Sequence, residues 1–522
     1  MHFTIADDRL CGVPGPTARF TLPGARLALA IALAVASAAC GGGGGGGGGG
    51  GNPTPTPVPT IPVVTPTPGG GPTPTPTPVV SDVSLVLREG DVIPGGPTVA
   101  DIEDAALADD ASIAAIVQIE GAQGSRGVVR RIGTGTFAPV FSPQDDPSLD
   151  SSTLQEVLVA PGGRVLFRSD LGLDGDRLYL TADGVTQAIA GAPPGVVAPN
   201  FRILGEFEIG RDGVAGFVGG GSPCTVMQQG ETVRVRCEAH LYVARGFEVD
   251  EVELRDIDLS DQSPSTPQVN IAPSGAVYFS VPGGGEEPTI VRVANGRTEV
   301  VLSADEEVDP VGRLNRPQLN AVNQDEDLLV TTTLQEDPGP TRPAVIGVLR
   351  DGDLDVVARE DLGTDPDDVT DLRSVGLDDF GRVLFTATLG TATSPDGIRR
   401  SLRLYDGSQV GEIATEGATF PGTDLTILSL GSARFNANGD VAFVAELGRR
   451  TPGTVIVEEM RAVLRRPDGA MRTVVSTKSG SPVGALSDLA IAGLASDASL
   501  LLIAQAEPSG DRVLLYAAPP SP

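Results

Sequence analysis

Few side chains in this 522-residue sequence could do covalent or metal chemistry: two His, four Cys and one Lys. His2 lies at the extreme N-terminus, so His240 is the imidazole to weigh, and it stands three residues after Cys237 in a strand-like stretch. A serine triad needs a nucleophile to match, and no G-x-S-x-G elbow occurs; an H-E-x-x-H zinc site needs two His together. Lys478 lacks the preceding Gly of a phosphate-binding loop, which argues against a nucleotide site. Cys224 and Cys237 flank a hairpin-like insertion. In an oxidising compartment they are expected to form a disulfide that closes a loop of about a dozen residues and stabilises by about 2 to 3 kcal/mol. Their spacing does not suit a metal or redox pair.

The remaining chemical candidates are carboxylates: Asp170, Asp174 and Asp176; Asp351, Asp353 and Asp355; Asp365, Asp367 and Asp368. Alternating carboxylates can gather around Ca²⁺, which takes six to eight oxygen ligands, and Asp351, Asp353 and Asp355 are the candidate set. None of these runs completes a D-x-D-x-D-G-x5-E loop, so the simpler reading is solvated turn residues, with no other metal or cofactor expected. Trp is absent, and Tyr179, Tyr242, Tyr278, Tyr405 and Tyr516 fall on strand-like segments. That leaves few aromatic platforms for stacking a sugar. A formal charge of −31 repels polyphosphate, which excludes nucleic-acid binding and polybasic attachment to a membrane.

The elements that would position such residues repeat. A small or turn residue precedes a short apolar strand at 163–167 (GRVLF), 213–217 (GVAGF), 275–279 (GAVYF), 381–385 (GRVLF) and 439–443 (GDVAF). Weaker copies end at Ala115, Val330 and Leu502, so eight copies recur at intervals of 50 to 62 residues. A second strand follows each and usually closes on a turn pair: Asp183-Gly184, Asn295-Gly296, Asp351-Gly352, Asp406-Gly407 or Asp468-Gly469. Such pairs supply positive φ for tight hairpins. A third strand, as at 354–358, and one before the glycine, as at 425–430, complete a four-stranded meander.

The leading strands are apolar at consecutive positions, as in Val383, Leu384 and Phe385, so both faces must be covered, as they are between stacked blades. The last copy ends near Tyr516 without its final strand, while an orphan strand at 84–88 stands in front of the first. Together these predict an all-β fold: a β-propeller of eight blades over residues 81–518, closed by the N-terminal strand, with 519–522 as a tail. Seven blades, a solenoid or two sandwiches are the alternatives.

The repeats resemble secreted bacterial tandem-repeat proteins of β-propeller form. The likeness rests on an EG…PG element, at Glu89-Gly90 to Pro94-Gly95 and Glu416-Gly417 to Pro421-Gly422, followed by an N-x-x-G-x-V-x-F element from Asn436 to Phe443. It covers nearly all of residues 82–518 and implies architecture and export, without an activity.

Ahead of the repeats, the apolar run Leu27 to Ala39 follows Arg26. It is too short to span a hydrocarbon core of about 30 Å as a helix, and it has the length of a signal-peptide core. The small residues before Cys40 resemble the lipobox of bacterial lipoproteins, although Ser37 departs from the aliphatic residue usual there. The resemblance implies removal of 1–39 and acylation of Cys40. Simple cleavage after Ala36-Ser37-Ala38 is the alternative. Gly41 to Gly51 and the alternating Pro and Thr up to Val80 then form a tether (40–80), whose polyproline II part reaches about 80 to 90 Å.

Two functions follow as expectations. One is a monomeric binding or scaffold module at the bacterial cell envelope. It is held by its lipid anchor at the outer membrane or cell surface, or is otherwise secreted or periplasmic, and it contacts a protein or glycan partner. The other is a propeller enzyme, a hydrolase or lyase using carboxylates near the central channel. Asp, Glu and Arg side chains converging on the channel would favour the enzyme, and a plugged apolar channel with loop-rich rims would favour binding.

Overall fold

A computed structural model describes residues 83–519. The stretches 122–124, 143–144, 146–153, 171–175, 192–201, 230–231, 253–267, 282–288, 304–306, 309–311, 335–342, 362–367, 392–396 and 452–453 lie outside the description. Segments 1–39 and 40–80, Cys40 among them, therefore fall outside the described residues.

Eight antiparallel sheets follow one another: blade one spans 99–141, two 154–190, three 202–252, four 268–303, five 312–359, six 369–415, seven 426–476 and eight 486–517. Blade five carries an additional two-residue strand, Glu307–Val308. Each blade is a meander whose strands pair in chain order, here called innermost, second, third and outer. The innermost strands touch from blade to blade all the way round, and that of blade one also touches that of blade eight. The fold is thus an eight-bladed β-propeller.

Blade eight supplies three strands of its own, and Val83–Arg88 adds the fourth in register Val83↔Ala517, Leu85↔Leu515 and Arg88↔Val513. The orphan N-terminal strand thus closes the ring as expected. The side chains of Leu87, Ile93, Ile102, Val129, Leu501 and Leu514 fuse blades eight and one into one apolar layer.

The core consists of such layers between blades, which explains the consecutive apolar positions of the second strands. Val383, Leu384 and Phe385 are all buried, one side facing blade five and the other blade seven. Phe167, Phe217, Phe279, Phe385 and Phe443, which end the five strong copies, are among the largest fully buried side chains.

The turn pairs divide into two kinds. Asp183-Gly184, Asn295-Gly296 and Asp351-Gly352 have positive φ at both residues, as two-residue hairpins require. At Asp406-Gly407 and Asp468-Gly469 only the glycine is left-handed. There the hairpin is wider, closed by the N–H of Asp406 on the carbonyl of Gln409 and that of Gly469 on Arg466.

The glutamate of the EG element has a definite task. Glu416 N–H donates to the carbonyl of Arg400, and its carboxylate accepts the N–H of Arg400 at 2.9 Å. Glu89 does the same with Arg512, and Glu360 with Ala344. The side chain replaces the next rung of the ladder, so the third strand starts with no N–H left over as the backbone turns towards the next blade.

Candidate functional site: the wall of the central channel

The innermost strands border the channel, and β-bulges interrupt their alternation. Register shifts occur between Ile102 and Asp104 in blade one, Leu154 and Glu156 in blade two, Ile203 and Phe207 in blade three, and Leu430 and Ala433 in blade seven. A bulge re-aims the side chains around it. Around these bulges Asp104, Glu156 and Glu206 stand near enough for their charges to interact, while Val157, Phe207 and Leu430 stay in the apolar layers.

The charged residues are unevenly distributed, although Asp371 and Asp488 also stand on innermost strands, those of blades six and eight. Blades one to three contribute Asp104, Glu156, Glu206 and Glu208, whereas blades six and seven contribute the exposed Arg373 and Arg434. Gln318 stands on blade five between the two arcs. Asp104 accepts the N–H of Val157 on the next innermost strand at 3.1 Å, and Glu208 accepts that of Ile271 at 2.9 Å. Arg373 pairs with Asp371 on its own strand at 3.2 Å.

Desolvation by burial raises the pKa of Asp104, Glu156 and Glu206 above the ordinary carboxylate range. Asp104 and Glu206 raise Glu156 further, so the three carboxylates share one field. The positive charge of Arg434 pulls Asp104 the other way, although blade eight stands between their blades. Glu208 keeps some solvent-accessible surface but is packed round by protein atoms, and burial pushes its pKa up to about 8. At neutral pH this wall therefore offers a protonated carboxyl at Glu208 beside the other acids, with the Arg434 guanidinium near enough to act on Asp104.

The residues singled out in the sequence lie elsewhere. Gly221↔Glu238 and Thr225↔Arg236 pair on either side of Cys224 and Cys237, which puts the two cysteines on adjacent strands of the extended blade-three hairpin; their side chains lie outside the described residues. His240 is held by Glu251, Nδ1 to Oε1 at 2.6 Å. Asp351 forms its turn, and Asp355 accepts from Arg350 Nη1 at 3.1 Å. Among the described residues no group of three or more His, Cys, Asp or Glu gathers to hold a metal, Asp351, Asp353 and Asp355 included. Of the other two runs, Asp174, Asp365 and Asp367 lie outside the described residues. Lys478 faces Glu458 at 3.8 Å. Tyr179 and Tyr242 stack on Phe167 and Phe217, with ring centroids 5.0 and 5.3 Å apart, which is the packing role expected of them.

The channel carboxylates were missed, although a signal existed. Asp104, Glu156 and Glu206 each stand seven residues before the left-handed turn residue of their blade, Ala111, Gly163 and Gly213. The same position holds Gln268, Ser374 and Ser432 in blades four, six and seven. Blades five and eight carry Leu319 and Ile491 there, so aligning the repeats on the turn would have shown six polar positions of eight, with the acids confined to one arc.

A family of unknown function (DUF7453) matches residues 311–478, which span blades five to seven. A comparison with curated proteins returns no match. Among solved structures, the WD40 domain of SCAP from fission yeast aligns at 10% identity and a TM-score of 0.43, covering 85% of this chain and 99% of that one. An acylaminoacyl peptidase from Pyrococcus horikoshii aligns at 13% identity and a TM-score of 0.38, covering 77% of this chain, which spans 57% of the peptidase. An oligogalacturonate lyase in complex with manganese aligns at 10% identity and 0.37, covering 79% of this chain and 87% of that one.

Proposed function

We propose that the chain is an exported β-propeller binding module of the bacterial cell envelope. It is anchored by an acyl chain on Cys40, held off the outer membrane or cell surface by the 41–80 tether, and stapled at its blade-three hairpin by a Cys224–Cys237 disulfide. The observation that carries the binding reading is the division of the channel wall into an acidic arc and an arginine arc. A polar ligand, a glycan or a protein side chain, satisfies both arcs when it turns amine or hydroxyl donors toward Glu156 and Glu206 and an acidic group toward Arg373 and Arg434. Two rim features add support: the blade-three and blade-seven hairpins both extend from the ends that join second to third strands. The latter exposes Val455, Ile456 and Val457.

Affinity capture from intact envelopes tests this reading. The wild-type chain should retain a defined protein or glycan that a Glu156→Gln/Arg434→Gln double variant retains at least tenfold less. Equal capture by both would remove the channel as the site. Mapping the mature N-terminus tests the anchor, and a first residue other than Cys40 removes it.

One observation favours a second reading, an enzyme of hydrolase or lyase type: three coupled carboxylates with raised pKa values, the condition general acid and base work uses. Binding is preferred because the sequence assembles no nucleophile-base pair, metal set or nucleotide loop beside these carboxylates. The enzyme reading requires turnover of the captured ligand, abolished in Glu156→Gln.

A further inference from the structure

The seam where the N-terminal strand closes the ring contains a second cavity, remote from the channel wall. A groove of about 700 Å³ opens between Val83–Arg88, the closing turn 91–94, and the end of the third strand of blade one with its following turn. Arg131 ends that strand. It is only 8% exposed, and its guanidinium lies over the ring of Tyr516 at 5.2 Å. Its Nε and Nη2 have no hydrogen-bond partner. A buried guanidinium edge without acceptors costs free energy comparable to lost charged hydrogen bonds. Asp91, on the same wall, is already engaged, accepting the backbone N–H of Arg88 at 2.9 Å and facing its Nε at 3.5 Å.

The two unpartnered nitrogens belong together: Nε and Nη2 form the side edge of the guanidinium, whose parallel N–H groups match the two oxygens of one carboxylate. The surroundings define the rest of the ligand. Leu85, Ile93 and Phe137 offer apolar walls, Val92 adds an exposed methyl surface at the mouth, and the exposed Thr134 places a hydroxyl at the rim.

We infer that this seam groove is a binding site for a carboxylate carried on an apolar body, held by a bidentate pair with Arg131. A monocarboxylic acid with a short alkyl chain fits both the edge and the walls. Its occupation would tie Val83–Arg88 to blade one and so reinforce closure of the ring.

Hexanoate and its neutral isostere hexanamide test this, by calorimetric titration and melting of the full mature chain at neutral pH. The expected result is saturable one-to-one binding of hexanoate with a rise in melting temperature, and at least tenfold weaker binding of hexanamide. Arg131→Lys, which keeps the charge but loses the fork, should weaken hexanoate at least tenfold, while the channel variant Glu156→Gln leaves it unchanged. Because Arg131 also packs on Tyr516, the arginine Nε–H resonances of the wild-type chain give a readout that needs no variant, and that of Arg131 should shift on titration. Equal binding of the two probes, an unmoved Arg131 resonance, or no saturable hexanoate binding would each overturn the site.

Discussion

At the residue scale, Glu208 ties the stability of the acid arc to pH. Its carboxyl accepts the Ile271 N–H, a bond that would favour the charged form, yet burial outweighs it and brings the pKa to about 8. The sign of the consequence follows from proton counting. Below the ordinary glutamate range both folded and unfolded chains hold the proton. Between about 4.5 and about 8 the unfolded chain has released it while the folded one retains it. Stability therefore falls with rising pH through that window, by at most about 1.4 kcal/mol per pH unit from this residue, and levels off above it. In Glu208→Gln the amide oxygen can still accept from Ile271, but no proton is exchanged. Urea unfolding of the two proteins from pH 4 to pH 9 should show the variant gaining on the wild type steadily up to about pH 8. Parallel curves would mean that Glu208 titrates as an ordinary surface acid. Asp104 and Glu156 are raised too and contribute to both proteins alike, whereas Glu206, whose charge raises Glu208, is coupled to it, so the difference reports Glu208 together with that coupling.

At the scale of elements, the turn between innermost and second strand links one blade to the next. Arg382, the second residue of GRVLF in blade six, pairs with Asp378 at 2.5 Å and donates to the carbonyl of Asn438 in the blade-seven turn at 2.9 Å. Arg164, at the same place in blade two, donates to Asp212 in the blade-three turn. Each guanidinium lies where a Cβ on the next turn glycine, Gly439 or Gly213, would stand. Glycine is thus required there for space as well as for its positive φ. Without that arginine the turn residue is either a left-handed Ala111, Glu326 or Ala498, after Ser499, Ala276 and Asp440, or again glycine, as at Gly163, Gly275 and Gly381 after Ser112, Val214 and Asp327. Glu326 makes its own bridge back to blade four, to Arg292 Nε at 2.7 Å, Tyr278 Oη at 2.6 Å and Ser274 Oγ at 2.8 Å. Gly296 provides the control, because a Cβ there meets nothing within 4 Å. Gly296→Ala should cost about 1 kcal/mol for its φ alone, and Gly439→Ala about 2 to 3 kcal/mol because Arg382 must leave its partners. In an Arg382→Ala background the cost at 439 should drop toward that at 296, which denaturant unfolding of the four-protein cycle measures. Equal costs at 296 and 439 in the wild-type background would refute the bridging role. The same comparison shows what was legible in the sequence. Second strands and hairpin pairs stand out because consecutive burial and left-handed turns leave local marks, as at Val383 to Phe385 and Asn295-Gly296. The innermost strands do not, because bulges such as that between Ile102 and Asp104 break the period of two by which a strand face is recognised. The acid arc was hidden for that reason, whereas Asp351, Asp353 and Asp355 drew attention through their spacing along a hairpin, Asp351 in its turn and Asp355 beside Arg350.

At the scale of the whole molecule, eight blades close only if the last is completed, and the completing strand stands directly after the tether. The seam is tied at several levels. Val83–Arg88 pairs with Arg512–Ala517, Arg512 N–H donates to Glu89, and Arg512 Nη1 crosses to the carbonyl of Ile102 in blade one at 3.0 Å. On the other face of the ring, Ser496 N–H donates to Asp109 at 2.8 Å. A chain that begins at residue 90 would lose the outer strand of blade eight, uncover the edge of Arg512–Ala517 and remove Leu87 from the apolar layer that joins blades eight and one. An open apolar edge next to a split layer is a template for pairing with another chain. The shortened chain should therefore associate in light scattering and unfold with a lower denaturant slope than the closed ring. A peptide of residues 82–91 added in trans should restore the monomer, since it carries both the strand and the Glu89 that completes the ladder. A shortened chain that stays monomeric and keeps the slope of the full one would show that the ring closes on side-chain packing alone. In that case tension on the tether could peel the strand away without opening the propeller.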